Sequence, residues 1–230
     1  MVDDSVNIVI IVSIFTMISV WFYLRARKEP RPVPQPGDAV ARLNDVQWQT
    51  GDIILYHSNP FINITVSGEW SHVALVAVGK SNVPSIFEIT GTDHYASVQP
   101  LYENVMGELV QAHRAVAYRR IYPPPDPAGL HKFIVQTLRK GVHYEHVYWR
   151  TFFERLFGGM FPIPISNSDR ISNESTVCSA LVAEALQYTG VLKRSRHSLR
   201  VLPHDFGNNT STPLDLSSKY KLGPVTHLRI

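Results

Sequence analysis

Cysteine is almost missing from this chain: among 230 residues there is one, Cys178. No internal disulfide can form, so nothing in the sequence requires an oxidising compartment. A strong charge of either sign is missing as well. Lys and Arg number 22 against 19 Asp and Glu, a formal net charge of +3. So small a balance gives no reason to expect nucleic acid as a partner. The basic residues gather instead at Arg25, Arg27, Lys28 and Arg31 and again at Lys193, Arg194 and Arg196. That is the pattern of membrane-flanking or solubilising surface. There is no phosphate-cradling glycine loop, no dinucleotide fingerprint, no HExxH motif and no internal repeat. His143 and His146 form a close pair, but no third ligand is evident, so neither a metal nor a cofactor is expected.

Long apolar runs are also scarce, with one exception. Ser5 to Leu24 is an uncharged stretch rich in Val, Ile, Phe and Met, about the length a helix needs to cross the hydrocarbon core. Asp3 and Asp4 precede it and Arg25-Ala26-Arg27-Lys28 follows. A cleavable leader would have a basic start and a small-residue cleavage site, so this segment is read as an anchor over residues 1–28. Its basic flank places the rest of the chain in the cytosol, giving a single-pass membrane protein whose bilayer contact is residues 5–24. Glu29 to Asp38 then carries alternating prolines, Pro30, Pro32, Pro34 and Pro36, a semi-rigid linker. The folded domain is expected over 39–230.

Its first half reads as strands. Ile53 to Tyr56, Val73 to Val78, Ser85 to Thr90, Val98 to Leu101 and Val116 to Ile121 are short apolar runs separated by turn residues. After Pro123-Pro124-Pro125-Asp126-Pro127 the period becomes helical. Leu130, Phe133, Ile134 and Leu138 share one face and Gly141 ends the run. Tyr148 to Phe157 reads as a second helix, and Cys178 to Tyr188 as a third that stops at Gly190. Strands followed by helices give an α+β domain in which helices pack on an antiparallel sheet.

Three residues in this frame carry chemistry. Cys178 opens its helix, with Ser175 or Thr176 as the expected cap, and the unpaired N–H groups of a first helical turn favour a thiolate. A cysteine filling an apolar core would sit there equally well. His72 stands at the mouth of the Val73–Val78 strand. Glu88 interrupts the apolar run Ile86-Phe87-Glu88-Ile89, and a carboxylate in such a strand needs a partner. A hairpin centred near Lys80 sets Glu88 opposite His72, where it would fix the imidazole tautomer and support its charged form.

Gly51-Asp52-Ile53-Ile54-Leu55, Ser71-His72-Val73-Ala74-Leu75-Val76, Phe87-Glu88 and Val177-Cys178-Ser179-Ala180-Leu181-Val182 together resemble the circularly permuted papain-like branch of the NlpC-type cysteine peptidases and amidases, in which histidine precedes cysteine. Gly141-Val142-His143-Tyr144-Glu145, Leu202-Pro203-His204-Asp205 and Thr212-Pro213-Leu214-Asp215 are weaker matches. The resemblance covers roughly residues 48 to 216. It implies Cys178 as nucleophile, His72 as general base and then acid, Glu88 as the orienting residue, and acyl transfer through a thioester. The backbone N–H of Cys178 would help to hold the oxyanion, with Tyr56 or His57 as neighbours. The implied substrate is a peptide, another amide or an acyl lipid, because the wider family also includes relatives of lecithin:retinol acyltransferase. A catalytically inactive, membrane-tethered binding or scaffold module is the reading from a different class.

Overall fold

In a computed structural model of the chain, the described residues are 34, 38–57, 69–111, 115–144, 175–207 and 213–230. The apolar stretch at residues 5–24, most of the proline-rich linker and the helix expected at 148–157 lie outside them. Among the described residues, no helix is long and apolar enough to cross a membrane.

Alternation along the strands builds two cores from one sheet. On β2 (Ile53–His57) and β3 (His72–Val78), Ile53, Leu55, Val73 and Leu75 belong to one apolar cluster, while Ile54, Tyr56, Ala74 and Val76 belong to the other. Successive side chains of a strand point to opposite faces, so a strand buried on both sides reads as a continuous apolar run. That is the pattern of Val73 to Val78. With β1 (Ala39–Arg42), β4 (Pro84–Ile89), β5 (Ala96–Pro100), β6 (Ala115–Tyr122) and β9 (Lys221–Arg229), they form a seven-stranded sheet ordered β1-β9-β6-β2-β3-β4-β5. Two residue pairs at β7 (His143–Tyr144) and β8 (Ser175–Thr176) form a separate parallel bridge.

The sheet is mixed, where an antiparallel one was expected. The exception is β1, which runs parallel to β9. Nearly the whole domain separates the two, and such a long connection removes the constraint that makes neighbouring hairpin strands antiparallel. Both strands were missed because their burial alternates with exposed and charged positions at the ends of the domain.

Three α-helices stand among the described residues. α1 (Leu101–Met106) continues into a π turn, Gly107–Gln111, and covers one face through Leu101 and Val105. It begins directly after β5, where the sequence suggested only the end of a strand. α2 (Pro127–Lys140) has Asp126 as its N-cap, accepting from the N–H groups of Ala128 and Gly129, and Pro127 in its first turn. Gly141 closes it in the left-handed conformation, at φ 63°. Its buried stripe is Leu130, Phe133, Ile134 and Thr137. Leu138, expected on that stripe, is exposed: it lies eight residues after Leu130, beyond the side that meets the sheet. α3 (Cys178–Tyr188) is buried nearly all round and packs on β3, β4 and α2. Its Leu181, Val182, Ala185 and Leu186 join Ile53, Leu55, Phe87 and Phe133 in one core.

Candidate active site

Cys178, His72 and Glu88 reach one place from three elements. His72 is the first residue of β3, so its ring stands at the end of the sheet, with its side chain 18% exposed. The pairing of β3 with β4 sets Val76 against Ile86 and Leu75 against Phe87. This is two residues away from the register expected, and it puts Glu88 opposite Ala74 instead of His72. The contact survives on the diagonal, because the small Ala74 leaves room for the two longer side chains to meet beside it. His72 Nε2 lies 2.7 Å from Glu88 Oε2. Glu88 itself is only 3% exposed.

Cys178 is the first residue of α3 and is also buried, at 3%. The helix N-cap is Val177, with extended backbone, and no side chain caps it. Ser175 and Thr176, the expected caps, lie in β8. That strand pairs with β7, so both residues lie before the helix begins, and Val177 takes the cap position instead. The first-turn amides, with the positive end of the helix dipole, are therefore left to whatever sits at Cys178. Ser179, next in the chain, is a brace: its hydroxyl donates to the Val201 carbonyl at 2.7 Å. Ser198 ties the same segment to Glu184 at 2.7 Å.

The imidazole bridges the other two groups. Burial opposes charge on His72, but the charge of Cys178 and a hydrogen bond to it, together with the hydrogen bond and charge of Glu88, raise its pKa from 6.5 to about 10. His72 is thus an imidazolium at neutral pH, one ring nitrogen on a carboxylate and the other left for the sulfur. Tyr144, on β7, also belongs here: burial first, and then the charge of Cys178, push its phenol well above the ordinary value.

Behind Glu88 lies a layer that the sequence did not disclose. Asn104, on α1, donates from Nδ2 to Glu88 Oε1 at 2.9 Å and to Gln99 Oε1 at 3.2 Å. Its Oδ1 accepts from the Tyr56 hydroxyl at 3.0 Å. Tyr56, considered as a neighbour of the oxyanion, is therefore on the carboxylate side of His72, its ring centroid 5.3 Å from the imidazole. His57 is turned to the Glu69 carbonyl, at 2.7 Å from Nδ1. The only sequence signal for Asn104 was the i, i+4 pair Leu101 and Val105 around it.

The described residues hold no cluster of three or more His, Cys, Asp or Glu suited to a metal ion.

No protein-family model matches the chain, and no curated protein matches it. Among solved structures it is similar to the crystal structure of the metalloprotein YiiX from Escherichia coli O157:H7, of family DUF1105. The identity is 16% and the TM-score 0.43, over 77% of this chain and 97% of that one.

Proposed function

We propose that this chain is a membrane-anchored thiol hydrolase, built on a circularly permuted papain-like domain, that cleaves an amide or ester through a thioester on Cys178. One observation carries the reading: an imidazole held between a buried carboxylate and the lone thiol, at a helix N-terminus that no side chain caps. The chain order, with His72 and Glu88 before Cys178, supports the permuted arrangement.

The chemistry follows from the roles these groups can take. The Cys178 sulfur attacks the carbonyl carbon, and negative charge gathers on the carbonyl oxygen within reach of the first-turn N–H groups of α3. His72 gives its proton to the leaving amine or alcohol, and the thioester remains. Neutral His72 then takes a proton from water, whose oxygen attacks the thioester; the acid is released and the sulfur leaves as thiolate beside the recharged imidazolium, which restores the starting pair. Glu88 holds the ring in place throughout. Residues 5–24 anchor the domain at a bilayer, with its basic flank and the domain on the cytosolic side. An acyl lipid is then within reach as well as a peptide or other amide. Transfer to an amine or alcohol in place of water makes the same site an acyltransferase.

The near-complete burial of Cys178 favours a second reading, an inactive papain-like module used for binding at the membrane. Alkylation separates the two. The full chain in detergent micelles, with its one cysteine, is treated with iodoacetamide from pH 5 to 9, beside His72→Ala. The hydrolase reading expects fast labelling at pH 6 that falls at least about tenfold in the variant. Slow labelling that His72→Ala leaves unchanged would establish the binding module. Cys178→Ala then serves as the blank in a screen of amides and acyl lipids.

A further inference from the structure

Three hydrogen bonds hold the Asn104 amide, and one of them reaches the carboxylate that holds His72. Both Nδ2 hydrogens are spent on acceptors, Glu88 Oε1 and Gln99 Oε1, and Oδ1 receives the Tyr56 hydroxyl. Chemistry fixes which way the amide faces. A carboxylate can only accept, so a flipped amide would set oxygen against oxygen at both Glu88 and Gln99. The phenol completes the arrangement: burial, then the negative charges of Glu88 and Glu108, raise the Tyr56 pKa well above 10, so it stays a donor. Gln99 is held in turn by its own donation to Asp93 Oδ2 at 3.1 Å.

We propose that Asn104, oriented by Tyr56, is a positioning residue of the Cys178–His72–Glu88 site: it occupies the second oxygen of Glu88, so that the first is presented to His72 in one fixed direction. The inference rests on the thiol-hydrolase reading and deepens it. Glu88 has two oxygens and two partners. His72 binds one at 2.7 Å, and Asn104 binds the other at 2.9 Å. Remove the amide, and the carboxylate loses the contact that fixes its second oxygen and is free to turn about its last bond. The hold on the imidazolium weakens although nothing touching the sulfur has changed. The titratable groups that face this arrangement are His72, Cys178 and Glu88 themselves, Tyr144 beside the sulfur, and Tyr56 and Glu108 on the α1 side.

The test uses the full chain in micelles with ¹³C-labelled histidine. The His72 signal is assigned by its absence in His72→Ala, and its titration is followed together with iodoacetamide labelling at pH 6. Asn104→Leu keeps the branched skeleton and removes the amide. Its His72 midpoint is expected to fall by at least about one pH unit and labelling to slow about tenfold, the loss of one hydrogen bond to a charged group. Tyr56→Phe, which deletes a single oxygen, is expected to move both in the same direction by less. It decides the matter if Asn104→Leu does not fold. A purely structural role would lower the melting temperature and leave the His72 midpoint where it was. Wild-type midpoints in both variants, with Glu88→Gln lowering it, overturn the inference alone. Wild-type labelling in Glu88→Gln and His72→Ala as well overturns the site reading beneath it.

Discussion

Two carboxylates are almost wholly buried in the same sheet, and they are satisfied in opposite ways. Asp52, at the start of β2, is 1% exposed and closed by fixed donors. Arg120 reaches Oδ1 from Nε at 3.0 Å and Oδ2 from Nη2 at 2.9 Å, and the Gln49 N–H reaches Oδ2 at 3.0 Å. The same guanidinium also donates to the Gln47 carbonyl. Glu88 has as its partners one amide and one ring that can lose its proton. A guanidinium never deprotonates in a protein, so the Asp52 pair can only hold β6 to the start of β2. An imidazole that exchanges its proton beside a thiol can take part in a reaction. What separates structure from chemistry here is the nature of the cation, because burial is nearly the same.

The contrast predicts a double dissociation. Asp52→Ala leaves the buried side of Arg120 without its anion, so the folded state should lose about 3 kcal/mol or more in urea unfolding. Cys178 in the fraction still folded should label at the wild-type rate. Glu88→Gln keeps the shape and removes the charge. Its unfolding free energy should change by about 1 kcal/mol, whereas labelling at pH 6 should slow about tenfold. If Asp52→Ala also silenced the thiol, or Glu88→Gln cost as much stability as Asp52→Ala, the two carboxylates would not be different in kind.

The same difference has a pH signature. His72 has a folded-state pKa of about 10 against an ordinary value of 6.5. A base whose pKa rises on folding stabilises the fold in full below its unfolded value and loses that contribution as pH climbs to the folded one. Stability should therefore decline from about pH 6.5 to about pH 10 in the wild type. Subtracting the profile of His72→Gln isolates that share from the other groups that titrate there. Arg120 titrates far above the window, so Asp52→Ala should lower the whole curve without removing this slope. A flat difference curve would mean that His72 is not held as an imidazolium.

How much of this was legible in the sequence follows from which forces are local. Glu88 declared itself because a carboxylate between Phe87 and Ile89 has no local explanation. Asp126, Pro127 and Gly141 marked the ends of α2 because caps act within one turn. Gly51, ahead of β2, is a position where the backbone needs glycine: at φ 94° a Cβ would lie 2.5 Å from Pro125 Cγ. The hairpin register was not legible. Its centre depends on the turn at Gly79 to Asn82, where Asn82 takes a positive φ of 57°, and one residue there shifts every pairing. Nor was the Asn104 layer, since α1 has six residues and its meaning lies in contacts to strands far away in the chain. The edge strand β1 and its neighbour β9 find each other across nearly the whole domain, and nothing local foretells such a pairing.

The smallest effect concerns a third kind of buried polar group. Thr176 is fully buried two residues before Cys178, and its hydroxyl has no hydrogen-bond partner among the described residues. Asp52 is saturated and Glu88 is held by groups that titrate or orient it; Thr176 carries only the cost of desolvation. Thr176→Val keeps the branched shape and removes that cost, so the variant should be more stable, by about 1 kcal/mol. Labelling of Cys178 should stay within about twofold of wild type, because the backbone that sets the start of α3 is unchanged. A variant that gained stability and lost reactivity would instead give this hydroxyl a part in the site. A buried donor left unpaired would then be stored for the substrate, the part the proposed mechanism gives to the uncapped amides of α3.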